Sequence, residues 1–191
     1  MQAFSPAGTE QVDALPDNQP TALVYLQVAT AADLPALQQL YQQSMALHHP
    51  FAELPDFSHY LHEHRYLLCL SQPLTRPNLS APARQIVGSF SLSGIIRGKF
   101  HSAYLGFEVF SPYQQQGLMR QGLRLLIKQA FDQLGLHRLE ANIQPANQAS
   151  LALVKGAGFV QEGFSTDYLY LHGAWRDHTR WALLNPHWQA G

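Results

Sequence analysis

Residues 102–143 constrain this chain most. A strand-like run, "SAYLGFEVF" (102–110), leads through "SPYQQQG" into a long helix-periodic run, which Gly135 separates from a second strand-like run, "HRLEANI" (137–143). A helix is expected over 117–134, because Met119, Leu123, Leu126, Ile127, Ala130 and Leu134 form one stripe that Leu118, Gly122 and Leu125 widen. So broad an apolar face must be buried, and Gly135 supplies the helix end. Strand, crossover helix, strand therefore sets the middle of the molecule.

Upstream, "ALVYLQVA" (22–29) reads as a strand. Thr30 and Asp33 form a capping-box-like start to a helix with Leu34, Leu37, Leu40, Tyr41 and Met45 on one face. Pro50 and Pro55 break the chain, and a short helix is expected over 57–65. "YLLCLS" (66–71) and "QIVGSFSLSGII" (85–96) are further strands, with a Pro-rich turn (72–84) between them and "RGKF" (97–100) as a hairpin-like link to the next. Downstream, Asn147 caps a helix closed at Gly156 or Gly158, and the tail from Phe159 alternates as two or three antiparallel strands turning at 172–174. The order gives an α+β fold, or a mixed sheet with helices on both faces. Residues 1–20, with Pro6, Gly8, Pro16 and Pro20, read as a flexible arm before a single domain over 21–191.

Composition excludes several classes of function. Charged residues make up only 13% of the 191 and the formal net charge is −1, so no basic footprint for nucleic acid is expected. Cys69 is the single cysteine, which rules out an intrachain disulfide and fits a cytoplasmic protein. The start "MQAFSPAGTE" is unlike a secretory signal, and no apolar run reaches the ~18 residues of a membrane span. "HYLHEHR" puts His59 and His62 on one helical face and "LHH" adds His48 and His49, but no fixed carboxylate partner is apparent, so a solvated face is expected and no metal site.

The glutamine turn, Gln114-Gln115-Gln116-Gly117, sits where a strand gives way to a helix. A helix N-terminus exposes unpaired N–H groups and the positive end of the dipole. With Gly117 allowing close approach, the turn suits a phosphate or pyrophosphate. It lacks the Lys-Ser/Thr pair of a triphosphate loop and the G-x-G-x-x-G of a dinucleotide fold. Taken alone, it reads first as a polar cap on a buried helix.

Longer segments add to this. Gln114-x-x-Gly117-x-Met119 resembles the Gln/Arg-x-x-Gly-x-Gly/Ala acyl-CoA loop of the GCN5-related N-acetyltransferase (GNAT) family. "GFEVFSPYQQQGLMRQGL", "LGLHRLEANIQPANQASLALVKGAGFVQEGF" and "DYLYLHGAWRDHTRWALLNPHW" resemble its ribosomal-protein-alanine branch, the RimJ/RimL type. The resemblance implies a twisted, mostly antiparallel sheet of about seven strands with a central parallel pair that splays, flanked by about four helices. It implies acetyl-CoA as co-substrate, no metal, and the N-terminal α-amine of a protein such as a ribosomal protein as acceptor, in a monomer or homodimer.

On the same resemblance, the backbone of Phe107, Glu108 and Val109 would pair with pantetheine. The turn Gln114, Gln115, Gln116, Gly117, Leu118, Met119 and Arg120 would hold the pyrophosphate, with Asn147 touching pantetheine. Gln115 stands where the family favours glycine, and Val154 where many members carry a proton-donating tyrosine. Ser150 is the substitute proton donor this branch implies. The glutamate some relatives use as base falls near Leu169, which leaves Glu108, Glu140, Asp167 and His137 as candidates. Phe51, Tyr168 and Tyr170 are the expected acceptor-binding residues, and "WRDH" is expected to hold an Arg176–Asp177 structural pair. Two alternatives stay open: a small-molecule amine, of polyamine or antibiotic type, as acceptor, and a non-catalytic acyl-CoA-binding module.

Overall fold

The strand His64–Leu70 shows why this sheet must be covered on both sides. Tyr66 and Leu68 belong to one buried cluster and Leu67 and Cys69 to another. Side chains alternate across a strand, so four consecutive buried residues demand packing on each face. The computed structural model describes residues 24–62, 64–70 and 84–189; the expected arm and the Pro-rich turn as far as residue 83 lie outside them.

Among the described residues, seven strands form one sheet: β1 (Val24–Val28), β2 (His64–Leu70), β3 (Gln85–Ile96), β4 (Ser102–Val109), β5 (Arg138–Ile143), β6 (Val160–Leu171) and β7 (Ala174–Leu184). Their order is β1-β2-β3-β4-β5-β7-β6, and every pairing is antiparallel except β4 with β5. The helices are α1 (Leu34–Gln43), α2 (Met45–His48), α3 (Leu118–Lys128) and α4 (Gln148–Gly156). α3 and α4 cover one face through Leu118, Leu123, Leu126, Leu151 and Val154. α1 covers the other through Leu37 and Tyr41, packed on Leu67, Cys69, Ile86 and Phe110. This is the expected mixed sheet, with the expected parallel pair at its centre.

The Thr30–Asp33 box forms, with the Thr30 N–H donating to Asp33 Oδ2 at 2.8 Å. It opens a 3₁₀ turn (Ala31–Asp33) that leads into α1. Burial works against the Asp33 charge, but hydrogen bonds from Arg84 and Thr30 outweigh it and hold the carboxyl below its usual range. The first helix is shorter than its apolar stripe suggested. Ser44 interrupts it, being buried with its Oγ accepting from the Ser111 N–H at 3.0 Å, and Met45 is left exposed. The helix expected over 57–65 is a single 3₁₀ turn (Tyr60–His62), because the residues after it are claimed by the sheet, starting with His64 opposite Leu92. The long helix ends at Lys128 and continues as a π turn (Gln129–Gln133) before Gly135. The tail is two strands. Its turn, His172–Gly173, has both φ angles positive, +51° and +76°, as a tight two-residue hairpin turn requires. No helix among the described residues is long and apolar enough to cross a membrane.

Gly122 sets how closely α3 lies on the sheet. A Cβ there would stand 2.7 Å from both Leu68 methyls and 2.9 Å from the Phe90 ring, and both side chains are fully buried. The helix would have to lift. Gly122→Ala should therefore lower stability by about 1–3 kcal/mol through overpacking, although alanine is the better helix former by roughly 1 kcal/mol. Urea denaturation of the two proteins checks this; an unchanged or raised midpoint would show that the contact relaxes freely.

Candidate active site

The parallel ladder is short. β4 and β5 pair at Ser102–Arg138, Ala103–Leu139 and Tyr104–Glu140, and then part. β4 stays attached to β3 as far as Val109, opposite Gly88, while β5 stays attached to β7 as far as Ile143, opposite Thr179. From Leu105 onward the β5-facing edge of β4 has no strand partner. A cleft of about 550 Å³ fills the split, lined by Phe107, Glu108 and Val109 on one side and Asn142, Ile143 and Gln144 on the other.

The glutamine turn closes one end of the cleft. Every residue from Gln114 to Arg120 lines it. Gln115 has φ +62° and Gly117 φ +72°, so the turn is wound by two left-handed residues. The left-handed backbone at Gln115 is what a glycine there would adopt without strain. The Gln121 N–H makes the first bond of α3, to the Gly117 carbonyl at 3.3 Å. The N–H groups of Leu118, Met119 and Arg120 precede it and have no partner one turn back. An anion-binding helix start of this kind fits the pyrophosphate of a CoA ester.

On the far wall, Asn147 Oδ1 accepts from the Ser150 N–H at 3.1 Å and caps α4. Both residues line the cleft, and the Ser150 hydroxyl has no hydrogen bond to the described residues. Val154 is fully buried in the core, away from the cleft.

The proposed acceptor residues separate. Phe51 lines the cleft, and its carbonyl accepts from Gln144 Nε2 at 3.0 Å. Tyr168 lies just behind the wall, its hydroxyl accepting from Asn142 Nδ2 at 3.1 Å. Tyr170 is exposed and packs edge-to-face on Trp175 at 5.6 Å, outside the cleft lining. The segment around Phe51 is clipped to the β6–β7 turn: the His172 N–H donates to Glu53 Oε1 at 2.6 Å, His172 Nε2 donates to the Ala52 carbonyl at 3.2 Å, and the His49 and His172 rings stack at 4.5 Å.

Of the candidate bases, only Glu108 lines the cleft, and its Oε2 accepts from Ser89 Oγ at 2.8 Å and Tyr41 OH at 3.1 Å. Burial, then the Glu108 charge, pushes the Tyr41 phenol well above its usual range, so it remains a donor. Glu140 is buried between Arg138 and Arg180. His137 packs on Trp188, and the Asp167 N–H donates to Asp177 Oδ1 at 2.9 Å. That last bond replaces the expected Arg176–Asp177 pair; neighbours on a strand point to opposite faces and cannot pair with each other. His59 does have a carboxylate partner, Asp56 at 3.0 Å, on the exposed surface. Hydrogen bonds from Ser58 and then His59 lower Asp56 to about 2. Among the described residues, no three His, Cys, Asp or Glu side chains are grouped to hold a metal.

Two residues of the cleft had no role assigned from sequence. His48 donates from Nε2 to the Val109 carbonyl at 2.9 Å and ties α2 to the end of β4. His178, buried, lines the cleft and turns Nδ1 to the Arg176 carbonyl at 2.9 Å. No local pattern marks either one; His178 is placed by the register of β7, and His48 by the docking of α2 on the end of β4.

The Acetyltransferase (GNAT) domain family matches residues 24–160. The chain belongs to the GNAT acetyltransferase family. The [ribosomal protein uS5]-alanine N-acetyltransferase of Escherichia coli (strain K12) is 38% identical over 108 residues, 56% of this chain and 56% of that protein. The chain thus aligns with about half the length of the curated relatives it matches. Two solved structures share the GNAT fold. Ribosomal-protein-S5-alanine acetyltransferase from Vibrio fischeri has a TM-score of 0.73 at 23% identity, covering 87% of this chain and 96% of its own. Spermidine N-acetyltransferase from Vibrio cholerae, solved with CoA and spermine, has 0.68 at 20%, covering 84% and 95%.

The left-handed turn yields a direct test. Gln115→Gly should raise stability by about 0.5–1 kcal/mol, the left-handed penalty less the added entropy of the unfolded chain, and β-branched Gln115→Val should lower it by about 1 kcal/mol or more. Chemical denaturation reads both, and the opposite order would exclude a left-handed residue 115.

Proposed function

We propose that this chain transfers the acetyl group of acetyl-CoA to the N-terminal α-amine of a protein, of the ribosomal-protein class that the Escherichia coli relative's name specifies. The observation that carries the transfer is the split between β4 and β5, which leaves an unpaired strand edge running toward a helix start wound for phosphate. The thioester lies along the edge of Phe107, Glu108 and Val109, where a backbone N–H polarises its carbonyl. The amine attacks that carbon; the C–N bond forms, the C–S bond breaks, the sulfur takes a proton from the Ser150 hydroxyl, and the proton lost by the amine nitrogen restores that hydroxyl.

Electrostatics supports a single amine as acceptor. Glu108 is the one carboxylate among the described residues lining the cleft, and it is held by two hydroxyls. Glu53 is bonded to His172 and Asp56 to Ser58 and His59. A polyamine meets no cluster of free carboxylates. An α-amine with a pKa near 8 is about 10% neutral at pH 7, whereas a lysine near 10.4 is neutral in roughly one molecule in 2,500. Calorimetry with acetyl-CoA and a screen of Ala- and Ser-initiated peptides, spermidine and aminoglycosides test this reading. Peptide acetylation is the expected result; turnover of spermidine alone moves the acceptor to a small amine, and binding without thiol release leaves a binding module.

Ser150 and Asn147 can be separated. Ser150→Ala should lower kcat roughly 10²-fold while acetyl-CoA affinity stays put. If Ser150 were only a first-turn residue, kcat would stay within about threefold and stability would shift by a few tenths of a kcal/mol. Asn147→Ala should cost about 1 kcal/mol of stability through the lost cap. It should also raise the KM for acetyl-CoA; an unchanged KM would make Asn147 a cap alone.

A further inference from the structure

Among the buried polar groups facing the cleft, His178 has the chemistry of a base. A carbonyl can only accept, so the 2.9 Å bond between Nδ1 and the Arg176 oxygen places the proton on Nδ1. The neutral ring then carries its lone pair on Nε2. That nitrogen has no hydrogen-bond partner among the described residues and is not sealed from solvent, and the residue lines the cleft. The ring is held firmly. Its neighbour Thr179 donates to the Ile143 carbonyl at 2.9 Å and accepts from the Trp181 indole at 2.9 Å, and Ser165 of β6 lies opposite His178. The Tyr168 ring packs against it at 5.5 Å.

We infer that His178 is the general base of the transfer, removing the proton from the bound acceptor ammonium through Nε2. This rests on the acetyltransferase reading above. The balance is as follows. Nε2 takes one proton and becomes imidazolium, and the freed nitrogen pair attacks the thioester carbon. The C–S bond breaks with its pair on sulfur, which takes the Ser150 proton, and the second amine proton replaces it on Ser150. The imidazolium then returns its proton to solvent.

Magnitudes tie this base to the acceptor class. Whatever the base, taking a proton from a lysine ammonium near 10.4 is roughly 250-fold harder than from an α-ammonium near 8. A histidine base suits an N-terminal amine. The ionisable groups around it are Tyr168 from β6 and, lining the same cleft, Glu108 on β4, His48 on α2, Tyr113, and Arg120 at the phosphate turn. β5 presents the neutral Asn142 and Gln144, and Asp177 is turned to the Asp167 N–H.

The test uses whichever amine the wild type acetylates. His178→Gln and His178→Ala should each lower kcat/KM roughly 10²-fold or more, with acetyl-CoA affinity unchanged by calorimetry. The acid limb of the pH profile should move up in the variants to near 8, the value of the α-ammonium itself, because they react only with amine already neutral in solution. Added imidazole should restore part of the activity of His178→Ala. A variant that binds acetyl-CoA normally and keeps both its kcat and its limb overturns the assignment. So does a loss that comes with weakened acetyl-CoA binding and no imidazole rescue, since that marks a structural residue. Acetylation of spermidine but not peptides defeats the N-terminal reading and leaves the role of His178 to be decided by the same limb; a wild type that acetylates none of the amines overturns both.

Discussion

Three residue pairs of parallel ladder between β4 and β5 determine the rest of this structure. A parallel pair needs a crossover, and α3 is that crossover. It must start near the end of β4 and return to the start of β5, so its N-terminus lies at the open end of the split. Had the ladder continued to Val109, the edge of β4 would be satisfied and no thioester could pair with it. The divergence is held from outside. β3 keeps β4 to its last residue, and β7 carries β5 away. Gly122 lets α3 lie close enough to the sheet for its first turn to close the cleft.

The two walls are built differently. The cofactor wall rests on a strand edge, a helix start and a buried core, with Leu118 and Leu123 packed beneath the turn. The wall proposed for the acceptor is hung from polar contacts: Gln144 to Phe51, and His172 to Ala52 and Glu53. Such bonds contribute about 0.5–1.5 kcal/mol each, so this wall opens far more cheaply than the core. The proposed protein-terminus acceptor suits this asymmetry, with a fixed donor side and an acceptor side that gives way.

What was legible in the sequence was local. The Thr30–Asp33 box, the Asn147 cap and the 172–174 turn each lie within a few residues and appear as read, and the stripe of α3 appears except at Leu125, which is exposed. The helix expected over 57–65 failed because pairing with β3 outweighs local preference once a strand partner is available. The polar side of the site failed for a related reason. Glu108, Ser89 and Tyr41 meet across 67 and 19 residues of chain, and His178 reaches the cleft only through the register of β7 on β5 and β6. In sequence, His178 stands beside Arg176 and Asp177, which suggests a pair; in the sheet, alternation separates them.

The scarcity of charge is part of the same design. Thirteen per cent of the residues are charged, and the buried or cleft-lining carboxylates are already engaged: Asp33 by Arg84, Glu140 by two arginines, Glu108 by two hydroxyls. An acceptor entering this cleft meets a single carboxylate, Glu108, whose Oε2 already accepts from two hydroxyls. Partial desolvation without compensating charge lowers the pKa of a bound amine. A free carboxylate would hold the proton on nitrogen and block attack, and a second ammonium, as in a polyamine, would remain charged and unmatched. On the proposed function, the neutral wall of Asn142, Gln144, Phe51 and Ser150 favours the form of the acceptor that reacts. On that proposal, the low charge of the sequence reaches the chemistry through the protonation state of the nucleophile.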